Sequence, residues 1–411
     1  MTQLNQNTIY FMRLVRQYLE SGGKNCSAPE FAPMADLEEI LRIASCNGCE
    51  SFIYHTIWKW SAEYGLDDAV LQLYKQRMLF SAVSQLRADS ELMEVISAFH
   101  NAGIKFLLLK GMVLSNLYPN PEYRKSTDAD IHINDEYIQH AEEVLVSRGY
   151  EHIPNDALQY EKTYRLNGVL TIELHTRLFE DFYKKNREAI IALGFESHAN
   201  RREIRLSGAI VETLTPNHFL TYVICHHTKH FINAGINLRH LIDICIYINE
   251  YNEQLNWDFI LSALERFRIK DFALYMLYIC QHHLCMVDLS FLYQDIDEEV
   301  VLMVLYDVIE RNAFSDDNEL KRSAARDVVR HAYFGNSSLN LVMHSIFPSA
   351  KMLSKKYAYA KNHPVLLPIA WLHRAYSYLL RKMRGQRMIS PAERARIAEE
   401  RVELLKRVQI L

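Results

Sequence analysis

Glycine and proline are scarce in this 411-residue chain, at 13 and 10, which excludes collagen-like, repetitive and linker-rich architectures. Cysteine is sparse too. Seven thiols, an odd number without regular spacing, fit reduced side chains better than a disulfide framework. Cys46 and Cys49 form a CxxC pair, but no second pair at matching spacing completes a zinc ribbon, and incidental thiols are the better reading. Long apolar runs are missing. The stretch from Val365 to Trp371 is interrupted by Pro368 and falls short of the ~18 residues that a spanning helix needs. Met1 to Asn7 is polar, and Arg13 and Arg16 break the stretch after it, so no signal peptide is expected. The expected location is cytoplasmic.

What the chain does have is core-forming material: 49% of its residues are hydrophobic and 23% charged, which suits a globular protein of two or three domains at ~100–200 residues each. Its formal charge is −4, from 46 bases and 50 acids, and it is unevenly spread. Residues Trp371 to Leu411 carry ten Lys or Arg against four Glu, net +6, leaving −10 on the rest. A basic tail on an acidic body can seek an anionic partner, phosphate-rich or membranous. The interleaved Glu393, Glu399, Glu400 and Glu403, after the helix-start signal Ser390-Pro391, favour a solvated amphipathic helix instead.

Hydrophobic spacing gives a helical N-terminal region over 1–102, dominated by a run from Asp67 to His100 with Leu71, Tyr74, Met78, Leu92, Val95 and Phe99 at helical intervals. The period then changes. Ile104 to Leu109 is an apolar strand, Gly111 to Tyr118 a short helix, Asp128 to Ile133 an alternating strand and Asp135 to Ser147 a helix. Ala157 to Leu166 and Val169 to Thr176 form a hairpin turned at Asn167-Gly168. Helices resume at Thr215-Pro216 and continue through Cys285, then from Glu298 onward. The fold class is α+β: a small mixed sheet over 103–213 between helical regions, with a C-terminal helical domain over 214–370 and a basic helical tail over 371–411.

Polar residues on the strands mark where chemistry would sit. Alternation puts Asp128, Asp130 and His132 on one face and Ala129, Ile131 and Ile133 on the other, the apolar set facing the core. The later strand repeats the pattern, with Glu173 and His175 sharing a face. Two carboxylates two residues apart repel unless they share a cation, and hard ions such as Mg²⁺ take oxygen ligands. Three converging carboxylates could hold two metals ~3.5–4 Å apart, the arrangement that clamps attacking and leaving oxygens in phosphoryl transfer. Upstream, an apolar strand runs into Lys110-Gly111 and a helix, where backbone N–H groups and the Lys charge suit a phosphate. Arg124 could fork onto the same phosphate. The plain alternatives are a solvated strand edge and an ordinary turn.

The order Leu108-Leu-Lys110-Gly111, Tyr118-Pro119, Arg124-x-x-x-Asp128-Ala-Asp130-Ile131, Gly149-Tyr150 and Glu173-Leu-His175 resembles a nucleotidyltransferase family of the DNA polymerase β superfamily. Similarity covers about Phe106 to Thr176, and extends more loosely through Leu220 to Asp243, with His226-His-x-x-His230 and Arg239-x-x-x-Asp243, and through Phe347-Pro348 and the Pro364-to-Arg384 tail. The resemblance implies transfer of a nucleotide from an NTP to a hydroxyl or phosphate acceptor with Mg²⁺. It implies Asp128 and Asp130 as metal ligands and Glu173 as the third acid and metal ligand. From their own chemistry Lys110, Gly111 and Arg124 are the expected substrate-binding residues, and His175 is expected there too, either contacting a phosphate or orienting Glu173, with a backbone-bonded strand-end histidine as the plain alternative. The acceptor class stays open among a small molecule, a polysaccharide precursor, a protein and tRNA. Met112 stands where the superfamily carries a second glycine or a hydroxyl. That departure supports an alternative from another class, a non-catalytic nucleotide-binding or adaptor protein serving surface polysaccharide or peptide biosynthesis.

His226, His227, His230 and His240 gather on two consecutive helices with Asp243. Metal ligation is one reading, and hydrogen bonding between packed helices is the favoured one. A middle reading closes this helix over the nucleotide, with His230 or Arg239 on the substrate. Arg239 and Asp243, four residues apart, are expected to form an intrahelical ion pair.

Overall fold

The computed structural model describes residues 4–24, 36–60, 63, 65, 67–126, 128–154, 160–179, 187–233, 235–310, 347, 350, 353, 357–383 and 391–410. The helices expected between 311 and 346 lie outside them. The chain divides into two compact units, Met1–His227 with Asn237–Ala313, and Thr228–Ile236 with Phe314–Leu411.

The first unit opens with helices α1 (Gln6–Glu20), α2 (Leu37–Cys46), α3 (Glu50–Ile57) and α4 (Asp68–Asn101). The Asp67 carboxylate caps α4 by accepting from the Ala69 N–H. Tyr74, Gln85, Ala88, Leu92, Val95, Ile96 and Phe99 line its buried face at helical spacing. The sheet follows: β1 (Phe106–Leu109), helix α5 (Gly111–Ser115), β2 (Asp128–Ile133), helix α6 (Asp135–Ser147), β3 (Glu151–Ile153), β4 (Glu161–Leu166) and β5 (Leu170–His175). Its order is β1-β2-β5-β4-β3, with β2 and β5 parallel and every other pair antiparallel. The β4–β5 hairpin turns where Asn167-Gly168 predicts, with Gly168 at φ +72. Its first strand starts at Glu161, and 157–159 lie outside the described residues.

After helix α7 (Arg187–Ile191), β6 (Arg201–Leu206) and β7 (Ala209–Leu214) pair as a separate hairpin. The Thr213 hydroxyl donates to the Leu108 carbonyl at 2.8 Å, tying β7 to β1. Helices α8 (Pro216–Asn233, whose residues from Thr228 onward belong to the second unit), α9 (Leu238–Tyr251), α10 (Trp257–Arg266), α11 (Lys270–His283) and α12 (Glu298–Leu305) complete the α+β architecture.

One expectation needs correcting. Past the exposed Asp128, the polar face of β2 is buried as deeply as its apolar face: Asp130 and His132 are both buried. The reason is α8, which brings His226 onto Lys110 beside Asp130.

In the second unit, helices α13 (Ala358–Asn362) and α14 (Leu367–Met383) share a small core of Leu353, Tyr357, Ala360 and Ala370. In α15 (Pro391–Arg407), Leu404 and Leu405 are buried and the Arg401 guanidinium lies 4.1 Å over the Phe231 ring. Among the described residues, no helix is long and apolar enough to cross a membrane.

Candidate active site

The site begins where β1 ends. Lys110 has φ 46 and ψ −128, a backbone conformation that suits glycine. Holding another residue there costs about 1–3 kcal/mol and persists only when the surroundings over-determine it. They do so here: the buried Lys110 ammonium lies 2.8 Å from Asp130 Oδ1 and donates to His226 Nε2 at 2.7 Å.

Strand register supplies the rest. Asp130 stands opposite Glu173, His132 opposite His175, and Asp128 opposite Thr171. Successive side chains alternate between faces, so one side of two adjacent parallel strands carries two acids in register, flanked by a third. His175 Nε2 donates to Asp130 Oδ1 at 3.1 Å and lies 3.6 Å from Glu173 Oε2, while Nδ1 is 3.9 Å from Glu161 Oε2 on β4.

Charge follows from these contacts. Burial alone would lower the His175 pKa, but hydrogen bonds to Asp130 and Glu173 outweigh it and raise it to about 9, so the ring is an imidazolium at neutral pH. Burial works against the Asp130 carboxylate, yet Lys110 and His175 hold it well below the usual range. Asp128 is exposed as a residue, but its carboxyl lies among protein atoms. Desolvation first, then repulsion from Asp130 and Glu173, pushes it above the ordinary value. His132 is driven down to about 4 by burial and by the nearby charges of Arg201 and His175, so it is neutral. Buried Tyr222 on α8 is pushed well up by desolvation and then by the negative charges of Asp130 and Glu173, which it faces.

The residues expected at the site therefore separate into groups. Asp130, Glu173 and His175 come together, each offering a ligand atom within 4.8 Å of the others, and Lys110 joins them. Asp128 stands outside that trio, its Oδ1 accepting from the Ser126 hydroxyl at 3.2 Å. Gly111, at φ +32, opens the five-residue α5. Arg124 is elsewhere engaged. Its guanidinium forks onto Asp243, Nε to Oδ1 at 2.6 Å and Nη2 to Oδ2 at 2.8 Å, and Nη1 donates to the Gly111 carbonyl. Tyr118 donates to the same Asp243 Oδ1 at 2.6 Å.

The intrahelical pair expected of Arg239 and Asp243 is thus displaced by a longer-range one, and Arg239 donates to the Lys125 carbonyl. His227 and His240 behave as helix-packing groups. His240 completes a capping box with Asn237 at the start of α9 and meets the His227 ring edge-on, with centroids 4.8 Å apart. Sequence reasoning did not find Tyr222 and Glu161 at the site, or His226 as the partner of Lys110. The one available signal was the four-residue spacing of Tyr222 and His226, which puts both on one face of α8.

Two carboxylates fixed in register on rigid strands, with convergent donor atoms, fit a hard divalent cation. Asp130 and Glu173 would hold it through oxygen, with His175 kept as their hydrogen-bond donor. Among the described residues this is the one group of three or more potential ligands that converges in this way.

Comparison with known proteins bears on the same segment. A family profile described as uncharacterised nucleotidyltransferase matches residues 33–284. No curated protein matches. Among solved structures, the chain is similar to an antigenic nucleotidyltransferase-like protein from Paracoccidioides brasiliensis, at 14% identity over 51% of this chain and 97% of that one, with a TM-score of 0.33. That likeness is too distant to bear on the site. The family match spans more than half of the sequence and takes in Lys110, Asp128, Asp130, Glu173, His175 and His226, so the chain belongs to the uncharacterised nucleotidyltransferase family.

Proposed function

We propose that this chain transfers a nucleotidyl group from an NTP to a hydroxyl or phosphate acceptor, using a divalent cation, Mg²⁺ by the chemistry of its oxygen ligands. The observation that carries the reading is the pairing of Asp130 with Glu173 on adjacent strands, with Lys110 ion-paired to Asp130. Asp130 and Glu173 would hold the cation, and Asp128 would be available as a further ligand. When bound, the cation supplies charge neutralisation and polarisation of phosphoryl oxygens.

The chain's own residues account for the remainder. Lys110 offers one positive charge beside the carboxylates for an incoming phosphate, and Gly111 lets that phosphate approach the turn. Glu173, the more accessible of the two acids, accepts the proton of a hydroxyl acceptor as its oxygen attacks the α-phosphorus and the bond to pyrophosphate breaks. His175 positions both acids by donating to Asp130 and lying beside Glu173. Arg124 binds no phosphate in this scheme; it fixes Asp243 and the Gly111 carbonyl. The supply of NTP puts the reaction in the cytoplasm.

A second reading, nucleotide binding without transfer, rests on one observation: Lys110 and His175 already neutralise much of the acidic charge. Incubating the chain with Mg²⁺ and each of the four NTPs while following pyrophosphate separates the two. Release that is lost in Asp130→Asn and Glu173→Gln supports transfer, and saturable binding without release supports the second reading.

A further inference from the structure

The second unit has features that nucleotide transfer does not use. From Val328 to Ala392 the sequence contains no Asp or Glu but ten Lys or Arg, whereas the chain's average of 50 acids in 411 residues would place about eight acids in that length. Helix α14 lies within this stretch. One side of it is tied to its own small core: Ala370 packs with Leu353, Tyr357 and Ala360. His373 stacks on Tyr359 and meets Tyr357 edge-on, with ring centroids 6.4 Å and 5.2 Å away.

The opposite side is apolar and open. Val365, just before the helix, and Ile369, Leu372 and Tyr376 within it are 89%, 55%, 73% and 62% exposed. Intervals of four, three and four residues align them in one stripe. A surface helix ordinarily turns polar residues outward, and a line of large apolar groups pointing away from the core marks a surface made to be covered.

Charge and side-chain type together identify what covers it. An acid-free, base-rich setting calls for an anionic surface. Single-stranded nucleic acid is gripped largely by aromatic stacking, whereas Val365, Ile369 and Leu372 are aliphatic and suit hydrocarbon. We propose that α14 docks on an anionic membrane surface, with Val365, Ile369, Leu372 and Tyr376 seated at the acyl boundary and the basic residues of the stretch on lipid phosphates. The attachment is peripheral, the mode open to an amphipathic helix too short and too charged to span.

Flotation of the full chain with extruded vesicles tests this. Vesicles of phosphatidylcholine containing about a third phosphatidylglycerol should bind at least about tenfold more protein than pure phosphatidylcholine, and about 0.5 M salt should remove most of the difference. The double variant Ile369→Glu/Leu372→Glu should fall to the neutral-vesicle level with unchanged circular dichroism and melting temperature. A second variant, Arg381→Gln/Lys382→Gln/Arg384→Gln, spares the stripe and should lower binding several-fold. Equal flotation with both vesicle types, or retained binding by the double variant, would overturn the proposal. So would a lipid-independent dimer that the double variant converts to monomer, which would assign the stripe to a second copy. Retention of single-stranded RNA in preference to the anionic vesicles would overturn it as well.

Discussion

Asp243 receives both arms of the Arg124 fork and the Tyr118 hydroxyl, all within 2.8 Å, on a side chain that is almost completely buried. Asp130 is equally deep, but its partners are Lys110, held in a strained backbone, and His175, whose extra proton depends on the two acids it touches. Both groups grow from one turn, since Arg124 also binds the Gly111 carbonyl. The first is closed, with geometry that saturates its carboxylate and fixes α9 against the turn. The second is left open: Glu173 is partly accessible, Asp128 exposed, and both contacts of Asp130 are made at Oδ1. Burying ions costs several kcal/mol unless partners satisfy them. The closed group meets that cost with structure, and the open one keeps capacity for a ligand.

This contrast can be broken by exchanging the expected phenotypes. Asp130→Asn should lower nucleotide transfer by about three orders of magnitude or more, since it removes a charge that acts on the reacting phosphates, while the melting temperature moves by only a few degrees. Pyrophosphate release and calorimetry on the same preparation check both halves. Asp243→Asn should show the reverse emphasis, a loss of about 3–5 kcal/mol of stability from an uncompensated buried Arg124, read from denaturant unfolding.

Acid sharpens the distinction. Burial opposes ionisation of Asp243, but Arg124 holds its carboxyl below the ordinary 3.8. Because its folded pKa is depressed, its contribution is complete above that value and is lost as pH falls through the folded one. Unfolding followed below about pH 4 should therefore steepen in the wild type and flatten in the Arg124→Met/Asp243→Asn pair. The smallest effect is expected at the strained turn. Lys110→Gly relieves the positive φ but removes an ion pair, so stability should change by about 1 kcal/mol or less, while nucleotide affinity falls about tenfold from the lost charge. Equilibrium unfolding and nucleotide titration separate the two.

The legible parts of the molecule were those written in local periodicity. Alternation in Asp128–Ile133 and Leu170–His175 by itself places the acids and His175 on one face. Asp67 at the head of a long apolar repeat marks α4 almost to the residue. Pairings across the chain were not legible. Arg124 lies four residues from Asp128 in sequence and invites a role beside it, but its partner is 119 residues away. Lys110 and His226 are separated by 116 residues, and nothing local distinguishes His226 from its neighbours His227 and His230. Strand β3 is three residues long, too short to show a period, and the β6–β7 hairpin, turned at Ser207-Gly208, carries charged residues on both strands that blur its alternation. The strain at Lys110 has no sequence signature, because positive φ is ordinarily the province of glycine.

In the proposed function Asp130 and Glu173 together hold a divalent cation. Titration with Mn²⁺, followed by the loss of the free-ion signal in electron paramagnetic resonance, tests it without any assumption about the acceptor. Saturable binding to the wild-type chain is expected, weakened at least about tenfold in both Asp130→Asn and Glu173→Gln and unchanged in Arg124→Lys. Binding that persists at wild-type strength in either carboxamide variant would contradict it.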